Sequence, residues 1–381
     1  MSLDGFGTIG VAHLLEQNAD FVENSTRGEG TGHSHPFDPS LDSRFAGQLS
    51  VEAGAKLSGV VQVVVEMDTD GDYRPNLEWA NVRYSFTPDM SVRAGRIVLP
   101  MFLVSETRKV SFANPWARPP VEVYGLIPVY SWDGVDASYR QRFGDWTGSV
   151  NTALGRAQSD IPGGHAEARR FWSANGSLQR GGFTGRLAVA SGRVGIDTFD
   201  PLFQGFRSFG PEGEAIADRY DVDDRPLLFG SAGTEYDHGP WFALAEGAWT
   251  RSESAMGERM AGYVTGGYRI GSLTPFATFS RVHLVSESST PGLTLTGLPP
   301  EYAAAAAQLN AGLNMALRSS PDQHTLALGG RWDVRPGLAL KAQLDLIDML
   351  GDSHGTFLNL QPTFEPGGSA QLLSVAATFV F

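Results

Sequence analysis

The feature that most constrains this chain is a strict alternation of apolar residues with small, polar or charged ones along almost its whole length. In 77–86, the even positions from Ala80 to Phe86 are apolar, and Asn81 and Arg83 lie between them. Side chains of an extended segment point alternately to its two faces, so this pattern predicts strands with one apolar and one polar face.

The segments number about sixteen, and their connections alternate in length. Seven connections are tight Gly-, Pro- or Asp-containing turns, such as Gly144-Asp145 and Arg335-Pro336-Gly337, which are typical of hairpins. The other eight connections are mostly long. They cover 16–41, 69–76, 101–133, 157–168, 195–225, 252–258, 287–322 and 351–369.

An even number of strands with every short turn at one end and every long loop at the other predicts a closed membrane barrel. A soluble β-sandwich, propeller or solenoid is the alternative, but it has no reason to sort its connections in this way. Closure pairs every backbone group, which hydrocarbon requires. We therefore expect one all-β domain over 1–381, a transmembrane antiparallel up-and-down barrel of about 16 strands.

Composition agrees with that fold and excludes several others. Among 381 residues, 41% are hydrophobic, and no apolar stretch is long enough for a transmembrane helix. There is no cysteine, which excludes thiolate chemistry and disulfides. The net charge of -13 argues against nucleic acid as a partner. The chain begins without a secretory leader, so we expect that a signal peptide was removed.

Several motifs resemble a known family. The last strand ends Ala-Thr-Phe-Val-Phe381 and is similar to the Phe-terminated closing strand of Gram-negative outer-membrane porins. The stretches 77–86 and 92–100, with the Pro-Trp-Ala-Arg-Pro-Pro run of 115–120, resemble the sixteen-stranded trimeric porins related to the phosphate- and dicarboxylate-selective group. The resemblance implies a homotrimer whose third loop, 101–133, folds into the lumen. The chain departs from phosphate-selective porins because it lacks a lysine cluster.

Signals of catalysis are weak. Residues 5–10 match G-x-G-x-x-G, but no βαβ unit follows, and the metalloprotease, P-loop and nucleophile-elbow motifs are absent from the sequence. Asp68, Asp70 and Asp72 alternate as in the start of a calcium loop, and His33 and His35 could chelate a metal, but solvated loops explain both patterns. We expect no cofactor, no metal and no enzymatic activity.

The seventh loop carries one clear helix signal over 299–318, where a run of alanines follows Pro299-Pro300. It is either a lid over the pore or, as we favour, a helix packed on the outer loops.

The expected lumen is polar, with mixed charges around the third loop. The predicted pore-lining and constriction residues are Arg83, Arg140, Arg142, Glu106, Arg108, Lys109, Arg118, Glu122, Asp133 and Asp136. The six cations outnumber the four acids, and arginine suits carboxylates. The sequence thus predicts an outer-membrane porin for passive diffusion of small hydrophilic solutes, with a preference for anionic or carboxylate-bearing ones. Outer-membrane lipid and lipopolysaccharide are the surrounding partners. The alternatives are an outer-membrane enzyme of lipase or protease type and a barrel that acts through its loops as a scaffold or adhesin.

Overall fold

A computed structural model describes residues 1–127 and 129–381. Sixteen antiparallel strands form a closed barrel, which confirms the fold class expected from the sequence. Every strand except the first and last of the chain pairs with its sequence neighbours, and β1 pairs with β16 to close the wall. In chain order, β1–β16 are Ser2–Leu14, Arg44–Ala53, Leu57–Met67, Tyr73–Ser85, Met90–Val98, Ser131–Phe143, Trp146–Ile161, Gly164–Arg180, Phe183–Ile196, Arg225–His238, Trp241–Ser252, Glu258–Tyr268, Leu273–Leu284, Gln323–Arg335, Leu338–Met349 and Ser369–Val380.

The connections lie at opposite ends of the barrel, seven turns at one end and eight loops at the other. We call these the turn end and the loop end, and number the loops L1–L8. The expected long loop at 157–168 is wrong, because β7 and β8 continue to Ile161 and Gly164 and leave only a two-residue turn at 162–163. Gly163, with φ 79°, supplies the left-handed conformation that this tight turn needs.

The remaining loops carry short elements. Helices α1–α4 are Val121–Tyr124 in L3, Asp200–Arg207 and Gly210–Tyr220 in L5, and Pro300–Arg318 in L7. A small three-stranded sheet, Asp20–Phe21, Thr31–Gly32 and Phe357–Leu358, joins L1 to L8. No helix among the described residues combines the length and the hydropathy needed to cross a membrane.

The two faces of the wall differ as the alternation predicts. Large apolar side chains such as Ile9, Val61, Leu154 and Val264 are exposed on the outward face. Aromatic side chains, including Phe143, Trp241 and Trp332, are exposed beside the turns, where the girdle of a membrane barrel lies. An outward face of this composition suits hydrocarbon better than water.

The C-terminal residue completes the closing contact. Phe381 and Gly5 exchange two backbone hydrogen bonds of 2.9 and 3.0 Å. They lie one residue beyond the last β1–β16 pair, which is Phe6 with Val380. The Phe381 ring lies over Gly5, where a Cβ atom would collide with it, and stacks on Phe45 and Phe379 with centroid distances of 5.8 and 6.3 Å. Glycine at position 5 therefore makes room for the terminal ring.

We predict that Phe381→Ala destabilises the barrel by about 1–3 kcal/mol, because two aromatic contacts at about 0.5–1.5 kcal/mol each are lost. The measurement is urea unfolding in detergent, with refolding yield read from heat-modifiable electrophoretic mobility. Phe143→Ala, at an exposed girdle position of β6, is the matched control. Equal effects of the two substitutions would show that the terminal ring has no special role in closure.

Candidate functional site: the third loop and the lumen wall

The third loop, L3, covers 99–130 and touches the inward side of most of the wall. Its polar contacts reach side chains of ten strands, β3, β4 and β9–β16. These strands lie on several sides of the barrel, so the contacted side chains define the inward face.

Part of the inward wall is apolar, which corrects the expectation of a uniformly polar lumen. Met101, Phe102, Trp116, Val123 and Leu126 of L3 are buried against inward side chains of β7–β13. Burial of such side chains removes apolar surface from water and favours a fixed loop. The wall residues in this cluster are Ala153, Ala157, Phe171, Ala190, Phe229, Phe242, Leu244, Ala248, Tyr263, Phe276 and Val282.

Arg118 is an anchor of L3. Its guanidinium donates to both carboxylate oxygens of Asp42, at 2.6 and 2.9 Å, to Asp345 at 3.1 Å and to the Ser374 hydroxyl at 2.6 Å. Burial alone lowers the pKa of Arg118, but the charges of Asp42 and Asp345 outweigh that effect and raise it. With 4% of its side chain exposed, Arg118 is withdrawn from solute, contrary to its predicted place in the pore lining.

Glu122 is buried in the same way. Its carboxylate accepts hydrogen bonds from Ser280 at 2.7 Å, Gln323 at 2.7 Å and Thr325. It therefore fixes α1 to β13 and β14 and does not face open lumen.

Basic side chains of the wall hold the backbone of L3. Lys341 donates to the carbonyl oxygens of Ser111, Asn114 and Trp116, at 2.5–2.7 Å, and Arg331 donates to Phe112. Carbonyl groups of an irregular buried loop need such donors, because an unpaired polar group costs about 1–3 kcal/mol. These wall cations thus satisfy the loop backbone.

Lys109 belongs to a chain of alternating charges at the loop end. Its ammonium lies 2.5 Å from a Glu66 oxygen and 2.7 Å from a Glu78 oxygen, and Arg44 lies between Glu66 and Glu23 at 3.9 and 3.7 Å. Burial lowers the pKa of Lys109, but Glu66 and Glu78 outweigh it and raise the pKa. Lys109 is therefore neutralised by its neighbours.

A polar chamber of about 400 Å³ adjoins this chain and is lined by L1, L2, L3 and the loop-end parts of β2–β7. Arg108 lines it and stacks over the ring of Tyr130. Among residues 1–127 and 129–381, no carboxylate forms an ion pair with Arg108. Arg108 is therefore a cation of the chamber without an acidic partner among the described residues.

Toward the turn end, four arginines share the inward face of adjacent strands. Arg83 lies on β4, Arg93 on β5, and Arg140 and Arg142 on β6. We call them the lumen arginine group. Arg83 and Arg93 are directly opposite across the β4–β5 pair, a like-charge pairing that is destabilising unless a counter-charge approaches. Asp136 is bound by Arg93 at 3.0 and 3.1 Å and is 1% exposed.

Arg83, Arg140 and Arg142 are exposed and form no ion pair with any residue that the structure describes. Two other predicted residues are engaged elsewhere. Glu106 pairs with Arg186 at 3.0 Å. Asp133 pairs with Arg96 at 3.0 Å. It lies on the outward face of β6, because residues an odd number of positions apart on a strand point to opposite faces and Asp136 faces inward.

The acidic hairpin at Asp68, Asp70 and Asp72 is neutralised by Arg74, which lies 3.1 Å from each of the three carboxylates. Among the described residues, no group of three or more His, Asp or Glu side chains is arranged to hold a metal ion. His35 pairs with Glu29 at 3.2 Å.

Sequence reasoning missed Arg93, Asp42 and Glu78. Arg93 could have been predicted to face inward, because it alternates along β5 in phase with Ser91 and Gly95. Glu78 sits at a register shift between β3 and β4, where simple alternation fails. Asp42 lies two residues before the start of β2, in L1, although it is in phase with the inward Arg44.

No protein-family model and no curated protein matches this chain in sequence. Solved structures do resemble it. The anion-selective porin from Comamonas acidovorans has a TM-score of 0.58 at 12% identity, with 100% of this chain and 99% of that chain covered. The fold is that of the sixteen-stranded porins. OmpF of Salmonella typhi in complex with daunomycin has a TM-score of 0.57 at 11% identity, covering 100% and 97%. OmpT of Vibrio cholerae in its trimer form has a TM-score of 0.56 at 11% identity, covering 100% and 99%.

We predict that Arg118→Met destabilises the protein by about 3–5 kcal/mol, because it leaves the carboxylates of Asp42 and Asp345 buried without a partner. The triple variant Arg118→Met, Asp42→Asn, Asp345→Asn should recover most of that loss. Denaturant unfolding followed by tryptophan fluorescence measures both. A triple variant no more stable than the single one would show that the ion pairs themselves, and not the stranded charges, account for the effect.

Proposed function

We propose that this protein is a passive diffusion channel of the bacterial outer membrane for small hydrophilic solutes. The proposal is supported by the closed wall, by its exposed apolar outward face and by the aromatic side chains beside the turns. It includes no cofactor and no covalent chemistry.

In this proposal L3 lies in the lumen and narrows it unevenly. The apolar side of L3 fills the space beside β7–β13, as its buried contacts there indicate. The remaining passage runs beside β2–β6, from the polar chamber at the loop end to the lumen arginine group at the turn end. A solute then meets Arg108 first, followed by Arg83, Arg140 and Arg142.

The proposed preference for anionic or carboxylate-bearing solutes rests on one observation. The arginines along this passage, Arg83, Arg108, Arg140 and Arg142, form no ion pair with the described residues. The predicted cations Lys109 and Arg118 are neutralised, but so are the predicted acids Glu106 and Asp136. Among the ten predicted residues, the accessible charge is therefore positive. Acids of the long loops account for much of the net charge of -13, and physiological salt screens them over about 8 Å.

A homotrimer is part of the proposal. The outward positions of β1–β3 carry apolar residues, glycine and His13 but no Asp, Glu, Lys or Arg, which suits a subunit interface. The Vibrio cholerae structure with the same fold is described as a trimer form.

A loop-mediated scaffold is the second candidate. Helices α2, α3 and α4 pack around their own apolar core, which includes Phe203, Phe206, Leu313 and Leu317, above the loop end. An ordered cluster of this kind can present a surface to a partner. Stepwise conductance in planar bilayers separates the two candidates, because only a channel conducts.

The test of selectivity is the reversal potential in a salt gradient. We expect the wild type to favour anions, and Arg140→Ala with Arg142→Ala to shift the potential toward cations, since two unpaired lumen charges are removed. The matched control is Arg251→Ala with Arg281→Ala, two exposed arginines on the outward face of β11 and β13.

The control should leave the reversal potential unchanged. A strongly cation-selective wild type whose potential does not move in the lumen variant would contradict the anionic preference, and an absence of conductance would contradict the channel itself.

A further inference from the structure

A row of opposite charges crosses three adjacent strands at the turn end of the lumen. Glu52 on β2 is directly opposite Ser58 on β3, and Ser58 is directly opposite Arg83 on β4. Arg83 faces inward with the lumen arginine group. The other two also face inward, because each is six residues from a side chain that packs against L3, Ala46 on β2 or Val64 on β3. We call these three residues the Glu52–Arg83 row.

The two charged ends of the row have no protein partner within residues 1–127 and 129–381. Glu52 and Arg83 are both exposed, and neither forms an ion pair there. Lys56 lies in the turn that joins β2 to β3, and it is not paired with Glu52. Arg93, the neighbour of Arg83 on β5, is occupied by Asp136. The row therefore presents one carboxylate and one guanidinium to the lumen.

The spacing of the strands keeps these two charges apart. Residues directly opposite each other on adjacent antiparallel strands have Cα atoms about 4.5–5.5 Å apart, so two such steps separate Glu52 from Arg83 by about 10 Å. Side chains stand roughly perpendicular to a sheet, so the charged groups keep a similar separation. Ser58 lies between them, and its short side chain leaves the gap open.

A zwitterionic α-amino acid fits this gap. Its ammonium and carboxylate are attached to one carbon about 3 Å apart, and a hydrogen bond of about 2.8 Å at each end brings the span to about 8–9 Å. A simple anion satisfies Arg83 but is repelled by Glu52. An amino acid therefore suits the row better than an anion of the same size.

The next row toward the loop end offers a place for the amino-acid side chain. Val60 lies two residues from Ser58 along β3, at about 7 Å, and faces the same way. Its neighbours across the sheet are Ser50 and Asn81. A half-buried valine between two uncharged polar residues suits a small apolar group such as the methyl group of alanine.

We propose that the Glu52–Arg83 row is a transit site for small zwitterionic α-amino acids. The ammonium group of the solute donates to Glu52, and Arg83 donates to its carboxylate, which arginine forks match in geometry. Arg140 and Arg142 lie on the β6 side of Arg83 and attract the carboxylate toward that side, so the solute passes in one orientation. The inference rests on the proposed channel, and it names the carboxylate-bearing solutes that the channel favours as those that also carry an ammonium group.

Uptake of labelled L-alanine and L-lactate into proteoliposomes tests the site, because the two solutes differ only in an ammonium or a hydroxyl group. Glu52→Gln should lower L-alanine uptake about three-fold, since an exposed charge pair is lost. It should leave L-lactate uptake unchanged or raise it, since a repelling carboxylate is removed. Arg83→Gln should lower the uptake of both solutes, because both carry a carboxylate.

The matched control is Glu235→Gln. Glu235 is an inward carboxylate of β10, in phase with Phe229, and β10 is on the opposite side of the barrel from β2. This variant should leave the ratio of the two uptake rates unchanged. Protein-free liposomes give the background, and heat-modifiable electrophoretic mobility shows that each variant is folded.

An equal effect of Glu52→Gln on both solutes would overturn the site, because recognition of the ammonium group would then play no part. An equal change of the ratio in the Glu235 variant would overturn it too, since the effect would then reflect only the total charge of the lumen. Single-channel conductance of the same preparations keeps the two proposals apart. A conducting channel whose uptake ratio does not change in the Glu52 variant contradicts only the site, whereas a wild type without conductance or uptake contradicts the channel.

Discussion

The packing of L3 against the inward faces of β7–β13 determines the rest of the lumen. Phe102 and Trp116 are almost fully buried in this cluster, and substitution of such residues by alanine typically costs about 3–5 kcal/mol. Because this side of the loop is apolar, it cannot face water, and Arg108 and Lys109 of L3 are turned toward the polar chamber beside β3 and β4. The chamber and the exposed arginines follow from that orientation.

Buried ion pairs determine where the loop lies more than how strongly it is held against the wall. Arg118 between Asp42 and Asp345, and Lys109 between Glu66 and Glu78, each satisfy two carboxylates at once. Such arrangements contribute little net stability when complete but are costly when one member is removed. They specify one register of L3, which apolar packing alone leaves adjustable.

The strands were predictable because period-two alternation is a local signal. All sixteen were predicted, most of them with small shifts of their ends, but β7 and β8 extend further than expected. The turn at 162–163 was missed because 157–160 and 164–168 contain only small, polar or charged residues, so the alternation of large apolar residues stops well before the strands end. The same alternation placed Arg83, Arg140 and Arg142 on one face of the wall, as in the structure. The roles of Arg118 and Glu122 could not be predicted, because their partners lie 76–256 positions away in the chain, in L1 and on β13–β16. Alternation also does not show which inward faces L3 will cover.

Cysteine accessibility tests the central claim most directly, and the chain suits it because it has no cysteine of its own. Ser138→Cys on β6 faces the passage beside the lumen arginine group, whereas Ala190→Cys on β9 lies beneath L3 and is fully buried. A bulky, charged methanethiosulfonate reagent should reduce the single-channel current of the first variant and leave the second unchanged. Equal block of both variants, or block of Ala190→Cys alone, would contradict a passage confined to the β2–β6 side.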